Sequence, residues 1–168
     1  MFSNNNFSVF IVVVFLIIGF FLITNINIWT SNVKIKDFNI NDVNYIKIAG
    51  KIIKTELALT PETQEKGLSG RKELKEDESM LFVFNHMGKY SFWMKDMNFP
   101  IDIIWLAPFR NGDERDLRII YIKKDAEPKS YPEAFTPKEE AMYVLEVFSS
   151  FSEKNNLKEG NKVEFLSL

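Results

Sequence analysis

Alternating apolar and polar residues dominate the chain after position 44 and predict a mainly β (α+β) domain. Two alternating segments, "YIKIAG" and "KIIKTELAL", meet at Gly50-Lys51 and predict a hairpin. The other predicted strands are "MLFVF" (80–84), "YSFWM" (90–94), "IDIIWLA" (101–107), "LRIIYIKK" (117–124), "YVLEVF" (143–148) and "KVEFL" (162–166). About seven or eight short strands of this kind predict a compact open barrel or a sandwich.

Two short helices are predicted between these strands. In "TPETQEKGLSG", Thr60 is a good N-cap, Pro61 suits the first helical position, and Gly67 can adopt the left-handed conformation that ends a helix. The segment "SSFSEKNNLKEG" predicts the second helix. Residues 125–139 contain three prolines and no period, which predicts a long loop of the kind that often carries function.

The N-terminal segment has a different composition, since no Asp, Glu, Lys or Arg occurs before Lys34. Residues 7–23 are apolar except for Ser8 and Gly19, and as a helix they rise roughly 26 Å. Extension to Trp29 would exceed the roughly 30 Å core of a bilayer. No small-x-small cleavage site follows, which favours an anchor over a cleaved signal peptide.

The predicted organisation is therefore a transmembrane anchor in residues 1–30, a polar stalk in residues 31–44 and a β-rich globular domain in residues 45–168. The membrane would be a partner through residues 7–29. Two lysines follow the apolar segment, which by the positive-inside rule favours a cytoplasmic domain, but long domains cross membranes despite such weak charge. The sequence leaves both orientations open.

Composition excludes several classes of function. The chain has 21 basic and 23 acidic residues and a formal charge of −2, so it has no basic excess to neutralise nucleic-acid phosphates. It contains no cysteine, which excludes disulfides, thiolate catalysis and sulfur-ligated metals. The one histidine, His86, has no second histidine in a zinc-ligand pattern, and no phosphate-binding glycine loop is present. No cofactor or metal is therefore predicted.

The segment "SFWMKDMNFPIDIIWL", residues 91–106, has two interpretations: the wall of a cleft, or two core strands joined by a corner. In a strand, alternate side chains share a face. Both faces of both predicted strands are then largely apolar, which favours the core interpretation. We therefore expect Trp93 and Trp105 to be buried in the core.

Four charged residues are the candidates for a site: Arg71, Lys95, Asp102 and Glu146. Asp102 lies between isoleucines, so a buried carboxylate there needs hydrogen bonds from the preceding turn or an ion pair with Lys95 or Arg71. Arg71 suits a ligand carboxylate or phosphate, or a buried bridge to an aspartate. Glu146 is a second mid-strand carboxylate, and a pair of carboxylates would suit a hydrolase of the glycosidase type if their separation allowed it.

Several of these phrases together resemble the domain of unknown function 192 family. They are Gly67-Leu68 with Arg71, Met80-Leu81-Phe82, Phe92-Trp93-Met94-Lys95 and Pro100-Ile101-Asp102. The chain departs from the family pattern at Lys66, Ser69, Asp96-Met97 and Asn161. The resemblance implies a β-rich fold and, for many members, an extracytoplasmic location, but it supplies no activity.

The expected function is a non-enzymatic, membrane-anchored extracytoplasmic module that binds a small ligand, a peptide or an envelope component near Arg71, Lys95 and Asp102. One alternative is an envelope hydrolase that uses Asp102 and Glu146. Another is a structural partner of an envelope protein, which would use the 125–139 loop. The two carboxylates discriminate between these hypotheses, because an enzyme of this type needs both in one cleft.

Overall fold

The structure, a computed structural model, describes residues 38–109 and 116–167. The described residues form nine strands: β1 (Tyr45–Ile48), β2 (Lys51–Ala58), β3 (Glu78–Gly88), β4 (Phe92–Trp93), β5 (Ile101–Pro108), β6 (Asp116–Ala126), β7 (Ala134–Phe135), β8 (Ala141–Phe148) and β9 (Lys162–Leu166). Two short helices, α1 (Pro61–Lys66) and α2 (Phe151–Lys154), and two 3₁₀ turns (Ile40–Asp42 and Pro128–Ser130) complete these elements. The mainly β class with two short helices is confirmed.

Seven of the strands form a closed barrel in the spatial order β1-β2-β3-β8-β5-β6-β9, while β4 and β7 pair separately. The closure corrects the expectation of an open barrel or a sandwich. It arises because the last strand, β9, pairs antiparallel with β1, so that neither strand is left as an edge. The pair β2–β3 is parallel, and α1 lies in the connection between these two strands.

Two apolar clusters occupy the two faces of the barrel wall. The first draws residues from all seven barrel strands and therefore fills the interior. The second combines outward residues of β3, β5, β6 and β8 with Leu68, Met94 and Phe135 from the covering segments. Every residue from Ile101 to Ala107 is buried because β5 has one face in each cluster. This explains why its sequence is apolar on both faces.

The predicted ends of α1 agree with the structure. The Thr60 hydroxyl accepts a hydrogen bond from the Thr63 backbone, and the Thr63 hydroxyl in turn accepts one from the Thr60 backbone. Gly67 ends the helix with a φ of 48° and a ψ of −133°, which is not the predicted left-handed helical conformation, and a Cβ at this position would lie 3.2 Å from the Phe82 ring. Glycine is therefore required there for both its conformation and its size.

Two segments differ from their predictions. The predicted strand 90–94 is reduced to the two residues of β4, and the predicted 125–139 loop contributes the two residues of β7. These two-residue strands pair with each other, Phe92 opposite Phe135. A strand this short carries no detectable alternation, so its existence depends on its partner.

Residues 38–44 of the predicted stalk are packed against the barrel. Val43 is buried, and the Phe38 ring stacks on Phe165 with the ring centroids 6.0 Å apart. Residues 38–44 therefore belong to the same compact unit as the barrel. The predicted anchor and residues 31–37 lie outside the described residues, and no helix within the described part is long and apolar enough to cross a bilayer.

Candidate ligand-binding site

A cavity of about 200 Å³ lies on the outer face of the barrel wall, beneath the segments that follow α1 and β3. Its lining combines aromatic rings, the C-terminal part of α1 and one buried carboxyl. The aromatic residues of the lining are Phe82, Phe84, Tyr90, Phe92 and Trp93, and the buried carboxyl is that of Glu146. The other lining residues are Gln64, Glu65, Lys66, Gly67, Leu68, Ser69, Ser91 and Met97. We refer to this space as the aromatic cavity.

One side of the aromatic cavity is held in place by contacts between two loops. The Ser69 hydroxyl donates to the Lys95 carbonyl at 2.9 Å, and the Gly70 N–H donates to the Asp96 carbonyl at 2.9 Å. The Asn98 amide donates to the Arg71 carbonyl at 2.8 Å. These three hydrogen bonds join the loop after α1 to residues 95–98, which makes the cavity wall a fixed part of the fold.

The opposite side depends on Tyr90. Its backbone carbonyl accepts a 2.8 Å hydrogen bond from the indole N–H of Trp105, and its hydroxyl donates to the His86 carbonyl at 2.8 Å. A Cβ on Gly88 would lie 3.0 Å from the Tyr90 ring. Glycine at position 88 therefore makes room for the ring that lines the cavity.

Glu146 contributes the buried polar group of the cavity. Its residue is 5% exposed, and its Oε2 atom is buried without a hydrogen-bond partner among the described residues. Burial raises the pKa of this carboxyl to about 8, and the Arg71 charge offsets part of the rise. The side chain is therefore largely neutral at pH 7 and can both donate and accept a hydrogen bond.

Arg71 forms a forked ion pair with Glu56, with its two terminal nitrogens 2.8 and 2.7 Å from the two carboxylate oxygens. This pairing raises the pKa of Arg71 and lowers that of Glu56. The expected bridge to an aspartate is therefore wrong, because the partner is a glutamate on β2. The two side chains are 32% and 56% exposed, so the pair is not buried.

Asp102 is buried, and its carboxylate holds neighbouring elements of the fold together. Its Oδ1 accepts from the Asp125 N–H at 2.8 Å, and its Oδ2 accepts from the Ser152 N–H at 2.7 Å. The carboxylate thus ties β5 to the end of β6 and to the first turn of α2. The expectation that it is hydrogen-bonded is confirmed, whereas the expected partners, the preceding turn, Lys95 or Arg71, are wrong.

The two carboxylates lie on opposite faces of the barrel wall. Ile103 stands opposite Glu146, and Asp102 opposite Val147. Val147 belongs to the interior cluster and Ile103 to the outer one. Asp102 and Glu146 therefore do not share a cleft, and the hydrolase that would use them as a pair has no geometric support.

Lys95 is exposed and lies at a shallow surface depression beside the aromatic cavity, together with Trp93 and Asp96. Of the four candidate residues, Glu146 lines the cavity, Arg71 is close enough for its charge to lower the pKa of Glu146, Lys95 lies near the cavity and Asp102 is separated from it. The sequence offered a cleft wall as one interpretation of residues 91–106, which include Phe92 and Trp93, but it did not indicate Phe82, Phe84 or Tyr90 for this role.

Each of the two interpretations of residues 91–106, cleft wall and core strands, applies to one half of the segment. Trp105 is fully buried, as expected, but Trp93 is 50% exposed, so its assignment to the core is wrong. The reason is that β4 lies outside the barrel and covers it with one face, leaving the other face open. The second half of the segment is core, and the first half is cavity wall.

Metal ligation is not indicated by these residues. Within residues 38–109 and 116–167, no three His, Asp or Glu side chains form a group that could hold a metal ion. His86 is exposed on β3, with its ring 6.1 Å from that of Tyr90.

Comparison with known proteins places the fold in a family. The model of DUF192, described as Uncharacterized ACR, matches residues 44–165. The chain belongs to the domain of unknown function 192 family. The matched range contains the whole aromatic cavity, including Glu146, and no curated protein matches the chain.

Two solved structures are similar to this member of the family. One is the crystal structure of a protein of unknown function from Novosphingobium aromaticivorans, with 30% identity, a TM-score of 0.63, and 73% of this chain and 84% of that chain covered. The other is the crystal structure of a putative transcription regulator from Sinorhizobium meliloti, with 26% identity, a TM-score of 0.63, and coverage of 74% and 92%. These likenesses support the fold and leave the activity open.

Proposed function

We propose that this chain is a membrane-anchored module that binds a small ligand in the aromatic cavity, outside the cell membrane. The observation that carries the binding proposal is Glu146, which lines the aromatic cavity together with five aromatic residues and has one carboxyl oxygen buried without a hydrogen-bond partner among the described residues. Buried polar atoms in native proteins are nearly always hydrogen-bonded. An unpaired oxygen in a residue that lines a cavity indicates a partner that comes from outside the chain.

The construction of the cavity also supports ligand binding. Ligand sites are typically apolar and aromatic, with a few polar groups that fix orientation and a perturbed pKa among them. The volume of about 200 Å³ corresponds to about six or seven water molecules at roughly 30 Å³ each. The cavity therefore suits a small molecule or one end group of a larger one.

The membrane part of the proposal rests on the sequence. Residues 7–23 are apolar and precede every charged residue, as in a single-span anchor. The family resemblance supports an extracytoplasmic location for the domain. Protease added to intact spheroplasts should remove the domain, whereas digestion that requires lysis would assign it to the cytoplasm.

A nucleic-acid function, which the description of the Sinorhizobium meliloti protein suggests, receives no support from composition. The formal charge of this chain is −2, while binding to a phosphate backbone requires a basic surface. We therefore retain the ligand-binding proposal alone.

A small-molecule screen by thermal shift tests the proposal. Trp93→Ala is the diagnostic variant, because this half-exposed side chain lines the cavity and its loss should remove ligand contacts at little cost in stability. Leu59→Ala is the matched control, since Leu59 is a 40% exposed apolar residue outside the cavity lining. Ligands that stabilise the wild type and the Leu59 variant, but not the Trp93 variant, support the proposal. Stabilisation of all three proteins to the same extent would assign binding to another surface.

A further inference from the structure

We propose that the aromatic cavity selects an organic ammonium cation, with the carboxylate of Glu146 as its counter-ion. This inference rests on the proposed ligand-binding function and specifies its ligand class. Glu146 would bind the cation in its ionised form, so the proton that it carries in the free protein would be released to solvent.

The aromatic lining favours a cation over other ligands. Phe82, Phe84, Tyr90, Phe92 and Trp93 all contribute to one small cavity. Aromatic faces carry negative partial charge, and rings grouped around a small space form the usual receptor for alkylated ammonium groups. The same rings disfavour an anion, which would also meet the Glu146 carboxyl.

Among the described residues, no cation forms an ion pair with the Glu146 carboxyl. The nearest strands present Met80 and Ile103 opposite it, and neither is charged. Arg71 is the cation that acts on Glu146, but its guanidinium is committed to Glu56.

The remaining titratable groups of the lining are Glu65, Lys66 and Tyr90. The exposed Glu65 and Lys66 are of opposite charge at the C-terminal part of α1, and burial raises the pKa of Tyr90 above its ordinary value. The Tyr90 hydroxyl therefore stays neutral throughout the pH range in which Glu146 titrates.

Because cation binding and proton release at Glu146 are coupled, the direction in which the affinity changes with pH can be derived. Burial holds the pKa of Glu146 at about 8 in the free protein. A cation that requires the ionised form must displace the proton below that pH. The apparent affinity should therefore rise about tenfold for each pH unit between pH 6 and pH 8, and level off above.

Three probes of nearly identical shape test the charge preference on the full chain in a nonionic maltoside detergent. Choline is the cation, 3,3-dimethyl-1-butanol its neutral carbon isostere and 3,3-dimethylbutyrate a similar anion. Isothermal titration at several pH values gives the affinities. We expect choline to bind roughly tenfold more tightly than the neutral isostere at pH 8, with an advantage that is lost near pH 7.

One diagnostic variant and two controls test whether Glu146 is the source of the charge preference and of the pH dependence. Glu146→Gln keeps the shape of the side chain and removes its charge, so it should reduce the preference for choline and abolish the pH dependence. Glu73→Gln removes an exposed carboxylate outside the cavity lining and should change neither. His86→Asn should also leave the pH dependence unchanged, which excludes the one histidine as its source.

The outcomes separate this inference from the proposed function. At pH 8, tighter binding of the neutral or anionic isostere, or equal binding of all three, would overturn the cation inference and leave small-ligand binding intact. A choline affinity that does not vary with pH in the wild type would also overturn the cation inference, whatever the affinity of Glu146→Gln for choline. If none of the probes binds at millimolar concentration, the cation inference falls, and the thermal-shift screen with Trp93→Ala decides the proposed function separately.

Discussion

The Glu146→Gln substitution is expected to stabilise the domain, by an amount that depends on pH. An ordinary glutamic acid in the unfolded chain has a pKa of 4.5, whereas burial raises the pKa of Glu146 to about 8 in the fold. Between these values the unfolded state releases a proton that the folded state retains. The wild type therefore loses stability as pH rises through this interval, and glutamine, which cannot ionise, does not.

The magnitude follows from the size of the interval. The interval from 4.5 to about 8 spans about 3.5 pH units, and each pH unit corresponds to about 1.4 kcal/mol. The upper limit of the difference between variant and wild type is therefore about 5 kcal/mol above pH 8. It should be about 3 kcal/mol at pH 7 and close to zero near pH 4.5.

Urea unfolding of a fragment that starts at Phe38 measures this difference. Tryptophan fluorescence reports the transition, because Trp105 is fully buried, and equal slopes for variant and wild type would license the comparison of free energies. Glu73→Gln, which changes an exposed carboxylate, should follow the wild type at every pH. A constant difference between Glu146→Gln and wild type from pH 5 to pH 9 would refute the reasoning, because it would mean that Glu146 titrates normally.

Three further stability predictions follow from the described contacts. Trp105→Ala should cost about 3–5 kcal/mol and Trp93→Ala less than about 1 kcal/mol in urea unfolding; equal losses would contradict the division between core and cavity wall. Asp102→Asn should cost about 1–3 kcal/mol in the same assay, because an amide nitrogen cannot accept one of the two backbone N–H bonds, and an unchanged midpoint would refute this structural role. A fragment from Phe38 should melt cooperatively and at a higher temperature than one from Tyr45, since the latter lacks the segment packed against β9; identical melting curves would show that this segment adds no stability.

The elements of the fold were predictable because their signals are local. Alternation predicted β9 at residues 162–166, and the residues Thr60, Pro61 and Gly67 located α1. The closure of the barrel was not predictable in this way, because it depends on pairings between distant strands, such as β1 with β9. Alternation shows which residues share a face of a strand, but not which strand lies beside it.

The site was predictable only in part, for a related physical reason. A buried carboxylate at Asp102 requires hydrogen bonds, and this was expected, but its two backbone partners are 23 and 50 residues away in sequence. Glu146 was recognised as an unusual mid-strand carboxylate. Whether its face of the sheet is covered or open depends on the segment around β4, whose position is set by contacts with the loop after α1.

Methyl NMR of the methionine-labelled domain tests the central claim, ligand binding in the aromatic cavity, most directly. Met97 lines the cavity, while Met142 packs against the interior cluster of the barrel. We predict that ligands shift the Met97 methyl signal in a saturable manner, leave Met142 unchanged, and lose this effect in Trp93→Ala. Ligands that bind while the Met97 signal stays constant would contradict the account.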